Sequence, residues 1–381
     1  MTPAYFDYNA TTELDPKVRE AMLPYLDQIF GNPSSVHSLG RRARSTMDGC
    51  RERIAAVLRC KPGELIFTSG GSEANNLAIL GAARALKHRG RHIIVSSVEH
   101  PSVFKPCQYL AESEGYDVTF LPTDRSGTIG PDHVAKHIRS DTTLVSVMAA
   151  NNETGIINPV AGIGSLCQSR GILFHVDAVQ WFGKMPFHSI DQFEAGLVSL
   201  CSHKFHGPKG AGLLFSRSPF FPEPLILGGS QENDHRAGTE NLAAIVGLTA
   251  AMEFFLTNPV FPPSLRELCS LLESQLTKIP GVQSIGTLDA RLSNTVAFTV
   301  TGANSISLVA ALDLIGFAVS SGSACSAGSL EPSRVLLGMG FEPNLANSFV
   351  RLSLGRDSTL EEVQRFCSSF PAIISRCRDN D

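Results

Sequence analysis

Between residues 64 and 215, short apolar runs rich in β-branched residues alternate with longer amphipathic stretches, and this rhythm leaves few folds open. The runs are ELIFTS (64–69), RHIIVSS (91–97), DVTFLP (117–122), TLVSVMAA (143–150), ILFHVD (172–177), AGLVSLC (195–201) and AGLLFS (211–216). Continuous apolar runs of this length suit strands buried on both faces. Helix-like segments at 73–89, 101–114, 131–139 and 159–170 fall between them. The spacing predicts an α/β fold with a large, mainly parallel, helix-covered sheet. In such sheets ligands sit beyond the carboxyl ends of the strands.

Three prolines in TNPVFPPS (257–264) break the rhythm. A helix at 265–278 follows, then runs near 282–286, 294–300, 316–320 and 349–354. The expected organisation is a large domain over 15–256 and a smaller α+β domain over 257–381, with residues 1–14 packing on the smaller one. With 43% hydrophobic and 18% charged residues, a substantial core is available. The net charge of −4, with no long charge run, argues against nucleic-acid binding. No apolar stretch reaches the ~18 residues of a membrane span, and MTPAYFDYNATT lacks the basic and apolar regions of a signal peptide. A cytoplasmic location is expected. None of the nine cysteines forms a Cys-x-x-Cys pair, so no zinc site or other resident metal is expected. Most should be small buried apolar residues.

Polar residues gather where the predicted strands stop. His100 ends VSSVEH, Asn152 lies in AANNETG, Asp177 and Gln180 lie in HVDAVQ, and His203 and Lys204 lie in SHKFHGPKG. Each alone could be a cap or a loop group, but strand ends of one sheet converge in space. A lysine held in a partly buried cleft has a depressed pKa and can form a Schiff base with an aldehyde. An aspartate ending a strand as apolar as ILFHV needs a cationic partner, which a pyridinium nitrogen would supply. A Schiff-base lysine beside an Asp–pyridinium pair is the signature of pyridoxal phosphate sites. The alternative for Lys204 is a nucleotide-binding lysine, although neither a Walker A motif nor a dinucleotide fingerprint is present. SGGSEANN (69–76) adds two glycines and a serine ahead of a helix with Glu73 in its first turn, a place for a phosphate.

Cys325 lies in AVSSGSACSAGSLEPS (318–333), where small residues without apolar periodicity predict a mobile loop. An accessible thiol there is either a nucleophile or an incidental loop cysteine. Arg351, in the apolar run FVRLSLGR, needs a carboxylate, either a substrate's or a structural Asp or Glu.

Taken together, YFDYNATT (5–12), FGNPSSVHSLGRRAR (30–44), FTSGGSEANN (67–76), VEHPSV (98–103), NNETGIINP (151–159), HVDAVQ (175–180), SHKFHGPKG (202–210), HRAGTEN (235–241), SSGSACSAGSLEPS (320–333) and RLSLGR (351–356) resemble the cysteine desulfurases of the NifS/IscS group. These are class V, fold-type I pyridoxal phosphate enzymes. The resemblance implies that Lys204 carries the cofactor, that His100 stacks on its ring and assists proton transfer, and that Asp177 and Gln180 hold the ring nitrogen and ring hydroxyl. It assigns the phosphate to Gly71, Ser72 and His203, with Thr239 reaching across from the other subunit of a homodimer. Asn152 and Arg351 would bind the carboxylate of L-cysteine. Cys325 would take the sulfur and could transiently ligate an iron–sulfur cluster during transfer. A sulfur acceptor or iron–sulfur scaffold is the implied partner. A selenocysteine lyase or a class V aminotransferase are the alternatives.

The sequence departs from the family at Cys201, where the family places a phosphate-binding serine. Ser202 could substitute from the next position, or one hydroxyl contact is lost and cofactor retention is weaker. Ser230 and Asp234 depart from the commoner Gly-rich, basic pattern. The 30 residues after Arg351 are fewer than IscS-type members use to dock the scaffold.

Overall fold

The computed structural model describes residues 3–257, 264–322 and 331–378. Its N-terminal arm supplies a short strand, β1 (Ala4–Tyr5). The seven apolar runs become β2 (Leu65–Thr68), β3 (His92–Ser96), β4 (Asp117–Leu121), β5 (Thr142–Ser146), β6 (Leu173–Asp177), β7 (Leu197–Cys201) and β8 (Gly212–Ser216). They form one sheet in the order β2-β8-β7-β6-β5-β3-β4. Pairings from β4 across to β7 are parallel. β8 runs antiparallel to both β7 and β2, so β2 and β7 point the same way. The carboxyl ends of β2, β3, β5, β6 and β7 therefore open on one edge.

Two helices differ in detail from expectation. The one predicted over 131–139 stops early, at Pro131–Ala135, and the main-chain N–H of Arg139 bonds the Thr142 hydroxyl (2.8 Å) rather than a helix carbonyl. The one over 73–89 begins at Gly71 and contains a π-helical turn, Leu77–Gly81. Gly81 lies against main chain there, since a Cβ on it would stand 2.5 Å from the Glu223 carbonyl oxygen.

The C-terminal part holds β9 (Val282–Ser284), β10 (Thr295–Val300), β11 (Phe317–Ala318) and β12 (Phe349–Ser353). A three-stranded antiparallel sheet runs β12-β10-β9, while β1 pairs in parallel with β11. Leu360–Arg378 forms a helix that buries Val363, Phe366, Phe370, Ile373, Ile374 and Cys377, the stripe of an amphipathic helix on a core. Phe6 of the arm joins that core, with ring centroids 5.9 Å from Phe317 and 6.0 Å from Phe366. From this anchor the arm runs to the sheet edge. Tyr8 N–H donates to the Ser353 carbonyl (3.1 Å) and Thr12 N–H to the His203 carbonyl (3.0 Å). Asn9 is thereby set between the C-terminal sheet and the end of β7.

Candidate active site

One cavity at that edge is lined by residues from every strand end named above: Gly71 and Ser72, His100, Asn152, Asp177 with Gln180, and Cys201, His203 and Lys204. Arg351 closes it from β12, and Asn9 and Ala10 from the arm.

Lys204 follows β7 on a single 3₁₀ turn, Ser202–Lys204. Its Nζ donates to the carbonyls of Asn9 and Ala10, both at 2.7 Å. Burial draws its pKa from 10.5 down to about 8, Arg351 pushing the same way and Asp7 and Asp177 opposing. Asp177, 4% exposed, ends β6 and accepts from Asn75 Nδ2 (2.8 Å) and from the Val179 main-chain N–H (3.0 Å). Among the described residues it has no ion-pair partner. A buried carboxylate held by two neutral donors keeps its demand for a cation, and a pyridinium fits it. His100 caps the helix Pro101–Ser113 and meets Ser102 Oγ through Nδ1 (2.7 Å). Burial lowers its pKa, so the imidazole is neutral at pH 7. His203, pushed to about 4 by burial with Lys204 adding to it, is neutral too.

The Arg351 end of the cavity carries two unsatisfied polar atoms. Arg351, 1% exposed, donates through NH1 to the Asn152 carbonyl (2.8 Å) and through NH2 to Asp7 (2.5 Å). The structural carboxylate weighed for Arg351 is thus Asp7, yet Arg351 Nε remains buried without a partner, as does Asn152 Oδ1. Buried orphan polar atoms are rare, and this pair leaves one donor, Arg351 Nε, and one acceptor, Asn152 Oδ1, open to a ligand.

Two expected residues stand apart. Ser202 does not line the cavity: its Oγ is fully buried without a partner against Gly207, where a Cβ would stand 1.9 Å from it. Successive side chains at a strand end leave opposite faces, so Cys201 faces the site and Ser202 cannot replace it. Thr239 is exposed and outside the cavity of its own chain. Its segment is tied down by Arg236, paired with Glu73 at 2.8 Å, and by Glu232, which pairs with Arg51 and accepts from Phe67 N–H. Cys325 lies outside the described residues.

Cys201 lines the cavity beside Gly71 of the glycine-rich turn expected to take a phosphate. A Cβ on Gly71 would stand 3.4 Å from Cys201 Cβ and 2.8 Å from Val179 Cγ2, so a glycine is required there. Burial raises the Cys201 pKa, against main-chain N–H groups of Gly71 and His203 directed at it, and the thiol stays protonated. Cys201→Ser should therefore tighten pyridoxal phosphate binding by about tenfold, the worth of one hydrogen bond to a charged group. Spectrophotometric titration of the cofactor-free protein checks this, and an unchanged Kd would refute it.

Asn9, Asn75, Ser102 and Lys184 also belong to the hydrogen-bond network around the cavity, although no motif chemistry pointed to them. Asn9 and Asn75 lie within YFDYNATT and SEANN, where position was visible but chemistry was not. Asn75 bridges Asp177 and Ser102, and Ser102 in turn meets His100.

Residues 4–366 match the model of the aminotransferase class-V family. The chain belongs to the class-V aminotransferase family. Among curated relatives, it is 43% identical to the cysteine desulfurase IscS of Dictyoglomus turgidum over 98% of this chain and 95% of the relative. It is 42% identical to the IscS of Methanosarcina thermophila over 98% and 93%. Among solved structures, a NifS-like protein superposes with a TM-score of 0.90 at 35% identity, covering 98% of this chain and all of the other. SspA, solved in complex with cysteine, gives a TM-score of 0.81 at 35% identity over 93% and 99%.

Proposed function

We propose that the chain is a pyridoxal 5′-phosphate-dependent cysteine desulfurase, converting L-cysteine and the Cys325 thiol into L-alanine and a Cys325 persulfide. The sulfur would serve iron–sulfur cluster or other thio-cofactor assembly. The observation that carries this reading is the meeting of Lys204, with a pKa near 8, and an Asp177 lacking any ion-pair partner among the described residues, on one cavity wall. When bound, the cofactor supplies an electron-withdrawing ring that stabilises negative charge on the substrate's α-carbon. Lys204 would hold it covalently and then, as a free amine, move the α-proton. Asp177 would keep the ring nitrogen protonated, Gln180 would donate to the ring hydroxyl, and neutral His100 would lie over the ring. Gly71, Ser72 and His203 would take the phosphate, with Cys201 beside them as a weak partner. Arg351 Nε would donate to the substrate carboxylate, and so would the Nδ2 end of the Asn152 amide. Cys325 would attack the substrate sulfur, forming an S–S bond as the C–S bond breaks.

Residues 15–256 would act as the cofactor-binding unit, and 257–381 with 1–14 as the smaller one, the β1–β11 pairing supporting that division. A homodimer is supported by Leu23, Leu26, Phe30, Val36, Leu39, Ile226 and Leu227, large apolar side chains exposed on the single chain, and by Thr239. A monomeric mass by light scattering would overturn it. No helix among the described residues is long and apolar enough to cross a membrane, and a reducing cytoplasm would suit a reaction carried by a free thiol.

The deciding experiment incubates the holoenzyme with L-cysteine and a reductant and quantifies alanine and sulfide. Equal amounts, both lost in Cys325→Ala while the cofactor's absorption persists, are expected. A keto acid product would indicate an aminotransferase instead. Turnover of selenocysteine alone, undisturbed by Cys325→Ala, would indicate a selenocysteine lyase.

A further inference from the structure

Lys184 is a buried amine with no part in the proposed chemistry. It is 6% exposed, four residues beyond Gln180, and its amine lies behind two residues that line the cavity, Gln180 and Asn9. Its Nζ donates to Asn9 Oδ1 at 2.6 Å and, in a short contact, to Gln180 Oε1. The other end of the Gln180 amide, Nε2, donates to the Asn9 carbonyl at 2.9 Å, the same oxygen that accepts from Lys204. An amide can present either its oxygen or its N–H groups to a cavity, and its neighbours decide which. Turned over, Gln180 would set its oxygen against the Asn9 carbonyl and its N–H groups against the Lys184 donor.

We propose that Lys184 is a positioning residue for Gln180, pinning the amide oxygen so that the N–H end is the one offered on the Lys204 side of the site. The inference rests on the cofactor reading above, in which that N–H end serves the ring hydroxyl. Asn9 shares the task. Its Oδ1 also accepts from Asn294 (3.1 Å), and its Nδ2 donates to Thr295 Oγ1 (2.9 Å) and to the Asn152 carbonyl (3.3 Å). Lys184 thus joins the Gln180 and Lys204 end of the site to the Asn152 and Arg351 end. The charged and titratable groups facing it are Lys204 and His203 from the turn after β7, Arg351 from β12 and Asp7 from the arm. Burial, with Lys204 and Arg351 adding to it, holds its own pKa well below the ordinary lysine value.

The test is a double-mutant cycle on the pH titration of the bound cofactor's absorption, a readout independent of turnover. An N–H donated to the ring oxygen favours that oxygen's anionic form, so weakening it raises the titration midpoint. Lys184→Met should raise the midpoint by about one pH unit, the effect of one lost hydrogen bond. In the Gln180→Leu background the same change should move it by less than about 0.3 unit, because the amide it acts through is gone. A full shift in both backgrounds would mean that Lys184 acts as a bare charge, and no shift in either would mean that it only packs. Both results overturn the proposal. Should Lys184→Met give no folded holoenzyme, Lys184→Gln, with a shorter polar stem, carries the same cycle. Failure of the wild-type protein to show any cofactor band would overturn the cofactor reading itself. A normal band with additive shifts overturns this inference alone.

Discussion

Lys204→Ala should lower kcat/KM for L-cysteine by roughly 10²–10⁴-fold or more, the range lost with a positioned proton-transfer group. The cofactor should then wash out on gel filtration, since its covalent tether is gone. The environment explains why this lysine is suited to the task. Two main-chain carbonyls at 2.7 Å fix Nζ without neutralising it, and burial penalises its charged form. A lysine that loses its proton near pH 8 rather than 10.5 offers roughly 300 times more free amine at neutral pH. The sign follows directly: the free amine attacks the cofactor's aldehyde, so reconstitution of the cofactor-free protein should speed up as pH rises and level off above about 8. Stopped-flow absorbance across roughly pH 6–10, which brackets the inflection, checks it. An inflection near 10 would mean that the site leaves the lysine ordinary, and a Lys204→Ala enzyme within tenfold of wild type would remove it from the reaction.

Much of this site was legible in the sequence because of how parallel sheets are built. Strands buried on both faces are largely apolar, so a carboxylate ending ILFHVD or a lysine just past AGLVSLC stands out, and topology carries those ends to one edge. His100, Asn152, Asp177, Gln180, His203 and Lys204 all reach the cavity for that reason. What could not be read was direction and partnership. Cys201 and Ser202 are adjacent in sequence and opposite in space, and whether the hydroxyl meets the cavity or Gly207 depends on the turn after β7. Lys184 follows a glycine in a loop and looks like any solvated lysine, yet Asn9, 175 residues earlier, and Gln180 enclose its amine. Asn9 itself is a polar residue in an N-terminal arm. Its importance comes from β1 pairing with β11 and from the Phe6 anchor, contacts made more than 300 residues away. Arg351 pairs with Asp7, a carboxylate that periodicity could not place beside it.

Asp177→Asn is the second large effect, and here activity and stability should move in opposite directions. In the wild type the carboxylate is buried with two neutral donors and without an ion-pair partner among the described residues, an arrangement that costs folding energy until a cation arrives. The substitution keeps shape and removes the charge. The new amide donor need not be left unpaired, because Asn75 Oδ1 is itself buried and unbonded, and turning over the Asn75 amide presents that oxygen to it. The cofactor-free variant should therefore melt at a higher temperature than cofactor-free wild type. Its kcat should nevertheless fall by about 10² or more, since a neutral amide cannot hold a proton on the ring nitrogen and a preorganised charge at the reacting ring is lost. Calorimetry of the two cofactor-free proteins and steady-state assays of the two holoenzymes separate these effects. A variant both less stable and fully active would mean that Asp177 is a structural cap on the end of β6. A variant more stable and inactive identifies a charge kept at a cost to the fold because the cofactor needs it.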